Sequence, residues 1–386
     1  SISQKNHGPQ SLESAKALNH IALSLRRQHK YPEAEPLLRQ VLEITQTTDG
    51  VPEANVAVAM INVAIVLREQ GKAAEAQKFY EQALSVREKV FGKSSNEVAS
   101  SLTSLAMVLR EQGKFEEAEP LLQRALTIEQ ALPQANEDAV VVASNNLATV
   151  YREQGKYEPA RALYESVLSL RRKADASADK IARAYANLAN LAREQQQYDQ
   201  SIQFYNSAIA LLKGAGDAEI TQLSKLWSEL AQTYRAGGKF ADADAALKQS
   251  IALSQKTGQD SDEAAAALNE QALLYSEQGM FEQAQPLFKK ALEMRERIFG
   301  DGAPETALLL DNLARNYRNE KNYQAAEESY RRSLSIKEKN LGQDDPSLAP
   351  TLRNYALVLR AEKRDAEADQ LDKRASTIES REVSSK

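Results

Sequence analysis

The chain of 386 residues contains no cysteine. Disulfides, thiolate metal sites and cysteine nucleophiles are thereby excluded, and the absence weakly favours a reducing, cytoplasmic compartment. Histidine is nearly as scarce, with His7, His20 and His29 all close to the N-terminus. No acid cluster at ligand spacing accompanies them, so no metal site is expected. No apolar run approaches the roughly 18 residues of a membrane span, and no membrane insertion is expected. The first ten residues lack the basic start and apolar stretch of a signal peptide. Charge of one sign is lacking too: 49 basic residues face 54 acidic ones, for a net charge of −5. A nucleic-acid partner would need a concentrated basic face to overcome that balance, and none is expected. The 15 glycines and 11 prolines fall mostly at turns, while Ala, Leu, Glu, Gln and Arg dominate. Such a composition reads as nearly all helix.

What is present is a period. Alanine recurs at Ala22, Ala64, Ala106, Ala148, Ala189, Ala231, Ala272, Ala314 and Ala356, spaced 42 residues apart with two slips to 41. A strict period of this length marks a stacked array rather than a globule with one cleft. One repeat shows the design. Leu102, Leu105, Ala106 and Leu109 share one helical face. Gly113-Lys114 breaks that helix with a left-handed cap, and a second helix from about Phe115 to Gln130 offers Phe115, Ala118, Leu122, Ala125, Leu126 and Ile128 for burial. Two helices and a tight turn form a helical hairpin.

Other repeats follow the template. Twelve after the anchor stand Ala34, Ala76, Ala118, Ala160, Ser201, Ala243, Ala284, Ala326 and Ala368, small enough for close helix crossing. Nine after it an aromatic recurs at Tyr31, Phe115, Tyr157, Tyr198, Phe240, Phe281 and Tyr323, and these are expected in the core. In the last repeat Asp365 and Asp372 replace apolar residues, the behaviour of a polar cap. The expected organisation is a tail over 1–10, a single solenoid of nine repeats over 11–380 with the last one capping, and a frayed tail over 381–386.

The spacing of small and large residues resembles the tetratricopeptide repeat. The 42-residue length, the segment Arg110-Glu111-Gln112-Gly113-Lys114-Phe115-Glu116-Glu117-Ala118-Glu119 and the connection Leu341-Gly342-Gln343-Asp344-Asp345-Pro346 resemble the kinesin light chain type in particular. The resemblance implies an all-α fold, a right-handed α-solenoid of about nine helix-turn-helix repeats. It also implies peptide binding along a concave surface lined by each pair's first helix, where kinesin light chains take peptides with an aromatic flanked by acids. The heptad segment by which those proteins dock on a motor's heavy chain has no counterpart within these residues.

On the first helices, positions two before and one after the anchor point away from the apolar stripe. The former carry Asn62, Asn146, Asn187, Asn312 and Asn354, an amide ladder suited either to gripping a peptide backbone or to fixing repeat packing. The latter include Ile65, Met107, Thr149 and Asn190. Four after the anchor stand Arg26, Arg68, Arg110, Arg152, Arg193, Arg235, Arg318 and Arg360, broken by Ser276. Arginine there serves the helix dipole or pairs with acids of adjacent helices, yet lysine never appears, and a planar fork suits carboxylate recognition. Repeats six and seven place Glu229 and Glu270 on the groove, which should repel an acidic ligand. The candidate site is therefore Asn62, Ile65, Arg68, Met107, Arg110, Asn146, Arg152, Asn187, Asn190 and Arg193, for an acidic segment with an apolar anchor.

Gly214-Ala215-Gly216 and Gly237-Gly238-Lys239 follow no strand and read as turns rather than phosphate loops. No nucleophile, base and orienting group can be assembled, so no catalytic residue and no cofactor is expected. The reading favours a peptide-binding adaptor with a protein or peptide partner. A sensor or regulatory arm of a larger signalling enzyme and a self-associating structural array are the alternatives.

Overall fold

The computed structural model describes residues 8, 10–132, 136–214, 216, 219–256 and 261–385. Most of the expected N-terminal tail, the middle residue of Gly214-Ala215-Gly216 and the last residue lie outside them. The described residues form eighteen helices and no strand, and they divide into two compact units, Ser1–Asp175 and Ala176–Lys386. The first unit holds four helix pairs: α1 (Leu12–Arg27) with α2 (Tyr31–Thr47), α3 (Glu53–Glu69) with α4 (Ala73–Phe91), α5 (Asn96–Glu111) with α6 (Phe115–Ala131), and α7 (Glu137–Glu153) with α8 (Tyr157–Lys173). The second holds five: α9 (Ala178–Glu194) with α10 (Tyr198–Leu212), α11 (Ile220–Ala236) with α12 (Phe240–Lys256), α13 (Asp262–Glu277) with α14 (Phe281–Phe299), α15 (Pro304–Asn319) with α16 (Tyr323–Leu341), and α17 (Leu348–Ala361) with α18 (Asp365–Ser385). Each pair packs internally and, within its unit, onto the first helix of the next, which makes the chain an all-α solenoid. No described helix is long and apolar enough to cross a membrane.

Local chemistry sets the boundaries. Ser95 caps α5 by accepting from the Val98 N–H, and Ser261 caps α13 through Ala264. The turn inside each pair needs one left-handed residue. Gly113 supplies it at φ 74°, and the Lys114 N–H then closes on the Leu109 carbonyl at 2.9 Å. His29, Gln196, Lys321 and Lys363 hold the same conformation at φ 58–65° without being glycine. Surrounding packing therefore carries a local cost of about 1–2 kcal/mol at each.

The two small-residue ladders form the crossings. All nine anchor alanines are at most 1% exposed, and all nine residues twelve further on, Ser201 among them, are 0% exposed. A larger side chain at either place would overpack the crossing at a cost of about 1–3 kcal/mol.

The aromatics nine after the anchor do not lie in the core as the sequence suggested. They are half-buried, and Phe240 is 39% exposed. The reason is their place in the first turn of each second helix, at the rim of the pair. Tyr198, for instance, lies against Gly237 in the turn of the following pair. The large buried residue stands sixteen after the anchor instead: Leu38, Tyr80, Leu122, Tyr164, Tyr205, Leu247, Phe288 and Tyr330 are all at most 3% exposed. First helices are also covered more widely than one stripe. Val66, Val108 and Val150, two after their anchors, are 0% exposed because each first helix is packed from more than one side.

At the end of the second unit, α18 buries Ala368, Ala375 and Ile378 and leaves most of its surface to solvent. Its Asp369 and Asp372 bind Arg360 of α17 at 2.8 and 2.7 Å.

Candidate functional site

In the first unit the first helices of the pairs are α1, α3, α5 and α7. Asn62, Ile65, Arg68, Met107, Arg110, Asn146 and Arg152 all lie on these first helices, and all are half-buried. The amide of Asn62 donates to Asn19 Oδ1 on α1 at 3.2 Å, so this part of the ladder joins consecutive repeats. Asn312 does the same with Asn269 in the second unit, at 3.1 Å.

The arginines meet acids that stand five after the anchor of the next repeat. Arg26 forms a closed fork on Glu69, with three hydrogen bonds of 2.9–3.1 Å, and that fork raises its pKa above the ordinary value. Arg68 and Arg110 are held more loosely, 3.8 Å from Glu111 and 3.7 Å from Glu153. At those separations the pairing is electrostatic without a hydrogen bond. The two side chains are about a third and a quarter exposed, at 31% and 26%.

A hollow of about 400 Å³ opens between the first two pairs. Ala15, Val41, Val58 and Ala59 give it apolar walls, and Asn19 and Asn62 give it amides. Of the residues singled out in the sequence, only Asn62 lines it. Val58 is the addition, being 47% exposed on a helix whose neighbours are mostly buried. Its sequence signal was an apolar residue four before the ladder asparagine, repeated at Val142 and Leu308.

In the second unit Asn187, Asn190 and Arg193 lie half-buried on α9. Asn190 Oδ1 accepts from both Arg193 Nη2 and Tyr205 Oη at 2.8 Å, and Arg193 Nη1 donates to Gln232 Oε1 at 3.0 Å. These groups are bonded mainly to one another. Glu229 and Glu270 are half-buried beside them, and burial pushes both carboxyls upward against the opposing charges of Lys225, Arg193 and Arg235. Among the described residues no group of three or more His, Cys, Asp or Glu side chains is placed to hold a metal ion.

A tetratricopeptide repeat family model matches residues 55–131, 139–214, 222–297, 263–339 and 305–378, and a second tetratricopeptide repeat model matches 14–48. A search of curated protein sequences returns no match. Among solved structures, the chain is similar to BtubC (BKLC) from P. vanneervenii, at 20% identity. The match covers 64% of this chain and 92% of that one, with a TM-score of 0.50. It is also similar to the apo quorum sensor NprR from B. thuringiensis, at 15% identity over 95% and 99% of the two chains, TM-score 0.55. A Signal Transduction ATPase with Numerous Domains from Pyrococcus horikoshii, carrying a tetratricopeptide repeat sensor, matches at 14% identity over 90% of this chain and 52% of that one, TM-score 0.56. At these identities the structures share the fold alone. The family models extend over most of the sequence, and the chain belongs to the tetratricopeptide repeat family.

Proposed function

We propose that the chain is a non-catalytic interaction scaffold whose first unit takes an acidic peptide segment with an apolar anchor. The observation that carries the reading is the pair of loosely held arginines. Arg26 is spent on a closed fork, whereas Arg68 and Arg110 face their acids across 3.7–3.8 Å and keep donors for a ligand carboxylate. The hollow beside Val58 suits the apolar anchor. From Val58 to Arg68 is ten residues of α3, about 15 Å along the helix, which an extended peptide spans in about five residues. Ile65 and Met107 line the way, with Asn146 and Arg152 on α7 extending the same chemistry. In the second unit, Asn187, Asn190 and Arg193 would offer the same groups only in competition with their internal bonds.

The test is calorimetric titration of an acidic, aromatic-containing peptide into the purified chain. Replacing Arg68 and Arg110 together by alanine is expected to weaken binding by about 1–3 kcal/mol, and added salt should weaken it further, since the groove is wet. An affinity unchanged in the double variant would remove the site from these residues.

A further inference from the structure

Aspartate precedes glycine at two places in the chain, Asp49-Gly50 and Asp301-Gly302. That dipeptide carries a chemistry of its own. With no Cβ on the second residue, the glycine nitrogen can close on the aspartate side-chain carbon and form a five-membered ring. The two places are alike in setting. Each lies in a loop that leads from a second helix to the next first helix, and both aspartates and both glycines are exposed. A Cβ built on either glycine would meet nothing within 4 Å, so neither nitrogen is crowded. Among the described residues neither the Gly50 nor the Gly302 N–H has a backbone acceptor, and neither aspartate carboxylate takes part in a hydrogen bond or ion pair.

What separates them is how the loop is held. Beside Asp301, the Gly302 carbonyl accepts from Asn340 Nδ2 at 2.9 Å. The Gly300 carbonyl accepts from Thr306 Oγ1 at 3.2 Å and from the Ala303 N–H at 3.3 Å. Around Asp49 one long bond closes the turn, from the Val51 N–H to the Thr48 carbonyl at 3.4 Å, with Gly50 at φ 79°. Such a separation marks a weak bond. Among the described residues no side chain donates to the backbone of 48–51. Ring closure has to rotate the Asp–Gly backbone, and every bond that pins a loop carbonyl resists the rotation. The loop at 48–51 is therefore free to turn where the loop at 300–303 must first break its bonds.

We propose that Asp49 is a site of spontaneous covalent modification, the isomerisation of aspartate to isoaspartate through a succinimide. The Gly50 nitrogen attacks Asp49 Cγ. A new N–C bond forms, and the carboxyl hydroxyl leaves with the amide proton as one water. A solvent water then opens the ring. Attack at Cγ restores aspartate, whereas attack at the backbone carbonyl carbon leaves the chain running through Cγ and frees the main-chain carboxylate. No electron is gained or lost, and the mass is unchanged. The new link adds one carbon to the main chain, so the turn closed by the Val51 N–H is lost. Gly50, Val51 and Pro52 line the hollow between the first two pairs, and the modification reshapes that wall. The chemistry is independent of what the hollow binds.

The test holds the full chain at physiological temperature in neutral buffer and samples it over time. Its peptides are sequenced by electron-transfer fragmentation, which distinguishes isoaspartate from aspartate. Isoaspartate should accumulate at Asp49 at least about fivefold faster than at Asp301, the factor that one net hydrogen bond confers. Asp49→Glu, whose ring would need six atoms, should abolish the product there and leave Asp301 as it was. Asn340→Ala frees the Gly302 carbonyl, and isomerisation at Asp301 should then rise toward the rate at Asp49. No isoaspartate at Asp49, formation as fast or faster at Asp301, or an Asn340→Ala chain in which Asp301 stays as slow would overturn the proposal.

Discussion

Glu129 is a carboxylate where other pairs bury a cation. Twenty-three residues after the anchor stand Arg87, Arg171, Arg295 and Lys337, and each has partners. Arg87 donates to Ser101 at 2.9 Å, Arg171 pairs with Asp138 at 2.5 Å, Arg295 with Asp262 at 2.9 Å and Lys337 with Asp311 at 2.7 Å. Glu129 is 4% exposed, and its Oε2 has no partner. The position that supplies Asp138 and Asp262 holds the neutral Asn96 in this pair, which brings no cation to Glu129. Burial pushes the carboxyl above its ordinary value. Replacement Glu129→Met keeps most of the volume and removes the unpaired polar group, which should stabilise the first unit by about 1–3 kcal/mol at pH 7. For a unit of this size, melting rises by about 2–4 °C per kcal/mol. The pH dependence follows from the direction of the shift. A carboxyl with a raised folded-state pKa lets the folded state bind more protons, so the wild-type chain gains stability as pH falls from that raised value toward the unfolded value of about 4.3. The advantage of the methionine variant is therefore full at neutral pH and shrinks on acidification. Urea unfolding of both chains from pH 8 to pH 4 measures it. A methionine variant less stable than wild type at pH 7, or an advantage that does not shrink, would refute the reasoning.

Glu35 shifts the other way. Burial alone would raise its pKa, but hydrogen bonds from Lys72, Arg39 and Gln70 outweigh burial and hold it at about 2. Glu35→Gln should cost at most about 3 kcal/mol at pH 7, with the difference from wild type closing as pH falls from about 5 toward 2. Circular dichroism during acid titration follows this, and a difference independent of pH would contradict it. Ser201 is the one residue of its ladder that is not alanine, and it donates to the Ala189 carbonyl at 2.8 Å. Thr233 beside it keeps its own bond to the Glu229 carbonyl at 3.1 Å, so Ser201→Ala should lose about 1 kcal/mol or less. A loss above about 2 kcal/mol in urea would mean the hydroxyl holds the α9–α10 crossing.

The helix pairs were legible because their signals are local and repeated. The anchor alanines, the alanines twelve further on and the turn at Gly113 each follow from helical period and backbone freedom, and the structure buries or bends them accordingly. The misplaced aromatics show where local signals fail. Tyr31 and Phe115 carry an apolar ring, but a position in the first turn of a helix ends at a rim, whatever the residue. Tyr330 was visible as a residue, yet its unpaired hydroxyl was not, because the acceptor that serves Tyr205 is replaced by an arginine on a different helix.

By itself the sequence determined the array: its period, its two helices per repeat and the small residues buried where they cross, since these depend on residues within a few turns of one another. Only the tertiary structure decided which arginines are closed and which stay open. Arg26 and Glu69 lie 43 residues apart, as do Arg68 and Glu111, and the two pairs read alike in sequence. Their separations of 2.9 and 3.8 Å are set by how neighbouring first helices settle against each other, a quantity fixed by the packing of whole side chains and by no local pattern.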